Sequence, residues 1–293
     1  MLKTETPSRD HTDLDLYAVD KLVDAFIDDQ SSALVAVRAA SAQIAAEVRA
    51  AIPRIDAGGR LIYVGAGTSG RLGMLDSVEL YPTFSWPRER ALALIAGGQQ
   101  AMFEAIEGAE DSAEQGGEDI RAVATTARDV VLLLAASGTT PYVTGALAAA
   151  RDAGALTIGM ANNPDSPLAQ QAECGITLDT GAELISGSTR LKAGTAQKIA
   201  LNTFSSALMV RLHKVHGNLM VDMKATNAKL IRRTIHLTML ATGVDAATAQ
   251  RTLEACDFHV KVAIVALKTN SSIPAARQRL AAAKGNVRNA IAD

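Results

Sequence analysis

Residues 60–79 read RLIYVGAGTSGRLGMLDSVE and decide the fold. Residues 61–64 form an apolar run, which predicts a buried strand, and a helical pattern starts at Arg71. A strand, a glycine-rich loop and a helix in this order make an anion-binding arrangement, because the helix N-terminus offers unpaired N–H groups and the positive end of its dipole. We therefore expect Gly67, Thr68 and Ser69 to contact an anion, through close backbone approach and hydroxyl donors.

The loop at 65–70 also matches G-x-G-x-x-G, the pattern of dinucleotide-binding loops. That function needs an acidic residue about 20 positions further on, at the end of the second strand, to hold the ribose. The next predicted strand, residues 91–96, is followed by Gly-Gly-Gln-Gln without a carboxylate. A hydroxyl-rich loop suits a phosphate monoester better, since its oxygens accept many hydrogen bonds. A tight turn without a ligand remains open for this loop taken alone.

A second loop, LAASGTTP at 134–141, repeats this arrangement. It follows the most apolar predicted strand, 130–136, and a helix starts at Pro141, a favourable first-turn position for proline. Loops at the carboxyl ends of parallel strands face the same crevice, so the two loops together predict a site for a phosphate-bearing ligand. Ser and Thr are also the usual helix N-caps, which is the alternative for each loop singly. The candidate ligand-binding residues here are Ser137, Thr139 and Thr140.

A third candidate loop, SGSTRLK at 186–192, opens a long predicted helix that runs to about His216. Its hydroxyls and cations suit an anion or a sugar hydroxyl, and we take Ser188 and Lys192 as candidates. A solvated surface lysine is an equally good interpretation of Lys192.

Two carboxylates stand out as candidates for chemistry. Glu79 lies near the end of the first predicted helix, and Glu110 lies in the acid- and glycine-rich connection EGAEDSAEQGGED. A lone acid in either place is commonly surface charge, and the sequence alone does not bring the two together in space.

Composition limits the class of protein. The 293 residues, 48% of them hydrophobic, are enough for one large domain with appendages. A net charge of −2 and an aromatic content of 3% argue against nucleic-acid or anionic-membrane surfaces. The polar N-terminus is unlike a signal peptide, and the longest apolar run is too short to span a bilayer. Cys174 and Cys256 lie far apart and indicate reduced thiols, so we expect a soluble cytoplasmic protein.

Alternating strand and helix patterns predict an α/β fold with a parallel sheet. We place an N-terminal helical segment at 1–54, with two helices separated near 28–32. A sugar-phosphate-binding α/β domain follows at 55–218. Residues 219–293 form a small helical subdomain of three or so short helices.

Six stretches carry a resemblance to a known family: GGRLIYVGAGTSGRLGMLDSVELYPTF, LIAGG, EGAED, AASGTTPYVTGAL, STRLKAGTAQK and GNLMVDMKATNAKL. The chain resembles the N-acetylmuramic acid 6-phosphate etherases, which are sugar isomerase (SIS) domain proteins, from about residue 13 to the C-terminus. The resemblance implies a SIS-type three-layer fold with a five-stranded parallel sheet, N-terminal helices and a small helical C-terminal subdomain. It also implies a cytoplasmic homodimer that uses no cofactor and no metal.

The activity implied by the resemblance is cleavage of the D-lactyl ether of N-acetylmuramic acid 6-phosphate, giving N-acetylglucosamine 6-phosphate and D-lactate. The family's acid falls on Glu79, which protonates the departing lactate oxygen, and its base falls on Glu110, which takes the C2 proton of the ring-opened aldehyde. An acid and a base need opposite protonation states, so their environments must separate their pKa values. We expect Glu79 to be the more desolvated of the two.

Two other functions remain open, a non-catalytic regulator that binds sugar phosphates and an aldose–ketose sugar-phosphate isomerase. The presence of both Glu79 and Glu110 favours the etherase over these two functions. The sequence departs from the family at Leu80-Tyr81, where Cys-Pro is usual, and at His216, where Tyr is usual. A catalytic role of His216 in ring opening is one interpretation, but a structural histidine favoured by a helix C-terminus is the preferred one.

Overall fold

Five parallel strands form the centre of the fold. The computed structural model describes residues 2–223, 225 and 227–292, so Lys224 and Thr226 of the GNLMVDMKATNAKL stretch lie outside the described residues. The sheet order is β2-β1-β3-β4-β5, and every pairing is parallel. This confirms the predicted α/β class and strand number. The strands are β1 (Leu61–Gly65), β2 (Ala91–Ile95), β3 (Val130–Leu134), β4 (Leu156–Ala161) and β5 (Cys174–Thr177).

The chain divides into two compact units, which are described separately. The first comprises Met1–Val78 with Arg88–Ser206, and the second comprises Glu79–Pro87 with Ala207–Asp293. The domain limits at 54 and 218 stay predictions. The helices are α1 (Val19–Ala39), α2 (Ser41–Asp56), α3 (Gly67–Phe84), α4 (Ala113–Ala122), α5 (Pro141–Asp152), α6 (Pro167–Gln171), α7 (Lys192–Arg211), α8 (Ala228–Thr242), α9 (Ala246–Ala255), α10 (Val260–Thr269), α11 (Ile273–Ala282) and α12 (Val287–Ile291).

Several predicted helix limits are wrong. The break expected near 28–32 lies at Ala40, because the polar residues there include no Gly or Pro to stop α1. α3 continues past Glu79 to Phe84, and α7 starts at Lys192 rather than Ser188.

His216 lies beyond α7, which ends at Arg211, so the dipole of this helix does not account for a histidine at position 216. Burial, followed by the charges of Arg288 and Lys268, lowers the pKa of His216.

Helices cover both faces of the sheet in the first unit. On one face, Ile62, Val64, Val131 and Leu133 pack with Ile120 of α4, Tyr142 and Val143 of α5 and Leu168 of α6. On the other face, Asp76 of α3 accepts hydrogen bonds from the hydroxyls of Tyr63 at 2.8 Å and Ser205 of α7 at 3.1 Å. The sheet is therefore buried on both faces, as a parallel sheet requires.

The second unit has its own core. Leu237 of α8, Leu253 of α9, Val262 and Ile264 of α10, Ala276 of α11 and Val287 of α12 belong to one buried cluster. Five short helices stand where the sequence predicted three or so. The carboxylate of Asp222 binds the amines of Lys214 and Lys261, each at 2.8 Å.

No helix among the described residues is long and apolar enough to cross a membrane.

α4 and α5 approach each other through glycine. A methyl group on Gly116 would lie 1.9 Å from the carbonyl oxygen of Tyr142. On the neighbouring Gly117 it would meet only the end of the Arg121 side chain, at 3.2 Å. The close contact therefore depends on Gly116 and not on Gly117.

We expect Gly116→Ala to lower the free energy of unfolding by about 1–3 kcal/mol, because the backbone of α5 must shift. Gly117→Ala, the matched control, should leave it unchanged or raise it by up to about 1 kcal/mol through helix propensity. Urea unfolding followed by circular dichroism measures both. Equal effects of the two variants would contradict the close contact.

An ion pair joins the starts of β1 and β3. Asp129 is 2% exposed and accepts hydrogen bonds from Arg60 Nη2 at 2.7 Å and Nε at 3.1 Å. The backbone N–H groups of Arg60 and Thr126 also donate to it, at 2.9 and 2.8 Å. Burial alone would raise the pKa of Asp129, but these hydrogen bonds outweigh it, so the pKa lies below its ordinary value. The charged carboxylate therefore stabilises the fold.

Asp129→Asn should cost about 2–4 kcal/mol of unfolding free energy near neutral pH, since it leaves the Arg60 guanidinium without its anion. Because the folded pKa lies below the unfolded value of about 3.9, the wild-type advantage is present above that pH and is lost as the pH falls through the folded pKa. Denaturant unfolding as a function of pH measures this. The exposed Asp152→Asn is the control, and a wild-type advantage that persists in acid would refute the assignment.

Candidate active site

The candidate site lies at the carboxyl ends of β1 and β3, where the order in which the chain adds strands to the sheet reverses. β1 lies between β2 and β3, with Gly65 paired with Ile95 on one side and with Leu134 on the other. The chain leaves β1 toward β2 and later returns to β3 on the opposite side of β1. In open parallel sheets, ligands bind at the carboxyl ends of the strands at such a switch point. The loops after β1 and β3 meet at this edge.

The first loop presents backbone donors. The first bond of α3 runs from the N–H of Gly70 to the carbonyl of Ala66 at 3.1 Å. The preceding N–H groups, those of Gly67, Thr68 and Ser69, therefore have no intrahelical partner. A methyl group on Gly70 would lie 2.7 Å from Ile95 Cγ1, so glycine is required for the loop to pack against β2. The helix N-terminus thus opens directly above the strand, as the sequence predicts.

The second loop turns sharply at Gly138. Gly138 has φ +74°, and a methyl group there would lie 2.3 Å from Cβ of Ser166. Ser137 Oγ accepts from the N–H of Thr139 at 3.2 Å and lies 3.5 Å from Thr140 Oγ1. Thr140 holds the N-cap position of α5, yet its side chain makes no capping hydrogen bond. The N-cap alternative therefore does not account for the Thr140 hydroxyl.

Both loops line one cavity of about 320 Å³. Its size falls within the range of small-molecule sites. It brings together six of the predicted binding residues with Glu110, and adds residues that the sequence did not single out. The predicted residues in the lining are Gly67, Thr68, Ser69, Ser137, Thr139 and Thr140, and the additional polar ones are Glu5, Asp111 and Thr189.

The cavity has a distinctive charge pattern. The described residues that line it include no Lys, Arg or His, while Glu5, Glu110 and Asp111 contribute carboxylates. Its donors are hydroxyls and backbone N–H groups. An anion at this cavity would be bound by dipoles and hydrogen bonds, and the carboxylates would suit hydrogen-bond donors on the rest of a ligand.

The third predicted loop contributes Thr189 rather than the two residues expected. Ser188 and Lys192 do not line the cavity. The Lys192 side chain is 7% exposed, and its Nζ lies 2.6 Å from Asp29 Oδ1 of α1. Lys192 is therefore not a solvated surface lysine. Its ammonium group is buried and paired with Asp29, as a buried charge requires. It does not line this cavity.

A protein carboxylate already occupies the N-terminus of α7. Glu183 is fully buried and accepts from the N–H groups of Lys192 at 3.2 Å and Ala193 at 2.9 Å. Burial raises the pKa of Glu183, and these two hydrogen bonds oppose the rise. The anion expected at the start of this helix is thus a side chain of the protein.

The two candidate catalytic carboxylates lie in different units. Glu110 belongs to a short 3₁₀ helix, Ala109–Asp111, and also lines a neighbouring cavity of about 380 Å³ with Arg71. Glu79 lies within α3 and belongs to the second unit. Both side chains are exposed, so the single chain does not show the expected greater desolvation of Glu79.

Sequence comparison identifies the family. Residues 43–151 match the glucokinase regulatory protein N-terminal SIS domain, and residues 100–207 match the SIS domain. The N-acetylmuramic acid 6-phosphate etherase of Deinococcus radiodurans is 56% identical over 99% of this chain and 95% of its own length. The chain belongs to the N-acetylmuramic acid 6-phosphate etherase family. The etherase of Salmonella dublin is 46% identical over 99% of this chain and 98% of its own.

The chain of this etherase-family member also aligns with several solved structures at 14–20% identity. A protein of E. coli CFT073 aligns with a TM-score of 0.49 at 15% identity, over 67% of this chain and 93% of that chain. This likeness is too weak to add to the assignment.

Two further findings concern the site of this etherase-family chain. Within residues 2–223, 225 and 227–292, no group of three or more His, Cys, Asp or Glu residues could hold a metal ion. Glu5 was missed by sequence reasoning, because residues 1–13 show no helical or strand pattern. The Thr-Glu dipeptide at 4–5 gives no local signal of a ligand site.

If the cavity binds the phosphate of a sugar phosphate, Ser69→Ala should weaken that binding. Ser69 is 7% exposed in the first turn of α3, and loss of one hydroxyl donor is expected to cost about 3- to 10-fold in Kd. Isothermal titration calorimetry with N-acetylglucosamine 6-phosphate measures this. Ser41→Ala, at an exposed position on α2, is the control. An unchanged Kd for Ser69→Ala would remove this residue from the site.

Proposed function

We propose that the chain cleaves the D-lactyl ether of N-acetylmuramic acid 6-phosphate and releases N-acetylglucosamine 6-phosphate and D-lactate. The observation that carries this is the convergence of the loops after β1 and β3 on one cavity that also holds Glu110. Identity of 56% to an etherase over nearly the whole chain supports the same substrate.

The phosphate is proposed to bind at the first turn of α3 and the second loop. The N–H groups of Gly67, Thr68 and Ser69 and the hydroxyls of Ser137, Thr139 and Thr140 are the donors. A phosphate monoester offers three oxygens that accept hydrogen bonds, which matches a donor-rich and cation-free lining. Ser188 and Lys192 have no part in this proposal, since neither lines the cavity.

Glu110 is proposed to be the base. The C2 proton of the ring-opened sugar is acidic because an aldehyde at C1 stabilises the resulting carbanion. Transfer of this proton to a carboxylate oxygen of Glu110 leaves an electron pair that expels the lactate oxygen from C3. The product is an α,β-unsaturated aldehyde, and water then adds at C3. The proposed base lies in the same cavity as the phosphate donors, which supports this assignment.

Glu79 is proposed to be the acid. Lactate leaves as an alkoxide unless its ether oxygen is protonated, and an alkoxide is a poor leaving group. The family resemblance in LDSVE is the basis for this role. The carboxyl group of Glu79 gives its proton to the leaving oxygen, and general acid catalysis of this kind contributes about 10²- to 10⁴-fold in rate.

We also infer a homodimer that works in the cytoplasm, as the resemblance implies. An exposed apolar stripe on α1 supports the dimer. Val19, Val23, Ile27 and Leu34 lie on one face of the helix and are 73, 50, 63 and 60% exposed. A stripe at this spacing is typical of a helix face that packs against another surface. A second copy of the chain is the proposed occupant.

The proposed chemistry predicts separable defects. Glu110→Gln should slow both D-lactate release and exchange of the C2 proton with deuterated solvent by about 10²- to 10⁴-fold. Glu79→Gln should slow lactate release while C2 exchange continues. Enzymatic assay of D-lactate and proton NMR of the sugar measure the two steps. Glu114→Gln, an exposed acid in the same acidic stretch, is the control.

Two outcomes would contradict the proposal. If folded wild-type protein releases no D-lactate, the activity is wrong. Ketose formation without lactate release would point to an isomerase, and binding without any conversion would point to a regulator, the class suggested by the match at residues 43–151. If Glu110→Gln still exchanges the C2 proton at the wild-type rate, Glu110 is not the base.

A further inference from the structure

The N-terminal segment 2–6 is fixed to the domain rather than trailing from it. Lys3–Glu5 form a short 3₁₀ turn, and Thr4 is 0% exposed. The amide of Asn163 donates to Thr4 Oγ1 at 3.0 Å, and the N–H of Thr4 donates to Asn163 Oδ1 at 3.3 Å. This segment is called the N-terminal strap below.

The strap is also held by an ion pair of Lys3 and by the loop before α7. Lys3 Nζ lies 2.6 Å from Asp179 Oδ2, just beyond β5. The N–H of Gly187 donates to the carbonyl of Thr4 at 3.2 Å, and Ser186 Oγ donates to the carbonyl of Glu5 at 3.2 Å. A methyl group on Gly187 would lie 2.9 Å from Glu5 Oε2, so the loop passes directly beside this carboxylate. These contacts fix the backbone on both sides of the Glu5 side chain.

Asn163 connects the strap to the phosphate loop. Its side-chain amide donates to Thr4 and also, at 2.9 Å, to the carbonyl of Ala136 in the second loop. Asn163 is 1% exposed at the end of β4. One buried amide therefore sets the position of the strap relative to Ser137 and its neighbours.

Glu5 lines the same cavity as the phosphate donors. A carboxylate repels a phosphate and offers it no donor, since an ionised carboxylate only accepts hydrogen bonds. The cavity lining thus combines donors, from the two loops, with acceptors that include Glu5. A ligand that matches this lining carries a phosphate together with hydroxyl or amide N–H donors.

We propose that Glu5 is a specificity-determining residue that accepts a hydrogen bond from a neutral donor of the sugar, a hydroxyl or the acetamide N–H. This rests on the proposed function, since it names a further contact of the same substrate. Because the strap is already ordered by its contacts, the side chain meets the sugar with little additional loss of backbone entropy. Glu5 takes no part in the proton transfers assigned to Glu79 and Glu110.

The test compares two ligands that differ in the sugar. N-acetylglucosamine 6-phosphate carries both the phosphate and the sugar with its hydroxyl and acetamide N–H donors, whereas inorganic phosphate offers the anion alone. We expect Glu5→Ala to weaken binding of the sugar phosphate by about 10- to 100-fold, as for a lost hydrogen bond to a charged group. Binding of inorganic phosphate should stay unchanged or tighten, since a nearby negative charge is removed. Calorimetry and phosphorus NMR titration measure the two affinities.

Two variants complete the design. Glu5→Gln keeps an acceptor oxygen without the charge, and its affinity for the sugar phosphate should lie between those of wild type and Glu5→Ala. Asp10→Asn removes an exposed carboxylate from the same N-terminal region without touching the cavity, and both affinities should match wild type. Thermal unfolding confirms that each variant is folded.

Two results would overturn the proposal. Equal weakening of both ligands by Glu5→Ala would assign Glu5 a structural role in the strap. Unchanged affinity for the sugar phosphate would remove Glu5 from the site. Both readouts are equilibrium binding. Absence of D-lactate release by the wild-type protein would therefore count against the proposed activity alone, and the sugar contact would be judged independently.

Discussion

The in-register parallel pairing of β1 with β3 is the constraint on which the site depends. Gly65 and Leu134 are opposite each other at the ends of these strands. Each strand is followed by a loop that must start a helix within a few residues, and the pairing fixes the two helix N-termini side by side. The Arg60–Asp129 pair stabilises the same two strands at their other ends. The ion pair therefore stabilises the pairing at the amino ends of β1 and β3, and the two loops form the cavity at the carboxyl ends of the same strands.

Buried charge explains why Lys192, a predicted ligand-binding residue, has a structural role. Its ammonium group is buried and paired with Asp29, and the N-terminus of the helix that it opens is occupied by the buried carboxylate of Glu183. An isolated buried ion is costly, so these groups can be tolerated only with permanent partners. Thr140 lies at the cavity and makes no capping hydrogen bond to α5, so its hydroxyl, 3.5 Å from Ser137 Oγ, can also hydrogen-bond a ligand there.

Local patterns predicted the strands, the two loops and most of the cavity lining, because each loop couples an apolar run to glycine and hydroxyl residues. The sequence could not distinguish Thr189 from Ser188, since adjacent hydroxyls differ only in the direction that the folded backbone gives them. It also missed Glu5, whose place depends on contacts with residues such as Asn163, far away in the chain. α1 continues through 28–32 because no Gly or Pro stops the helix there. The polar run alone was not sufficient evidence of a break.

The absence of basic side chains from the described cavity lining has a kinetic consequence. Cationic clefts accelerate capture of anions by long-range attraction, and salt suppresses that acceleration. Here the proposed phosphate donors are short-range dipoles at two helix ends, which act over about one helical turn. The lining therefore gives an incoming phosphate ester no long-range attraction, and since its three carboxylates repel an anion, added salt should not slow association at this cavity.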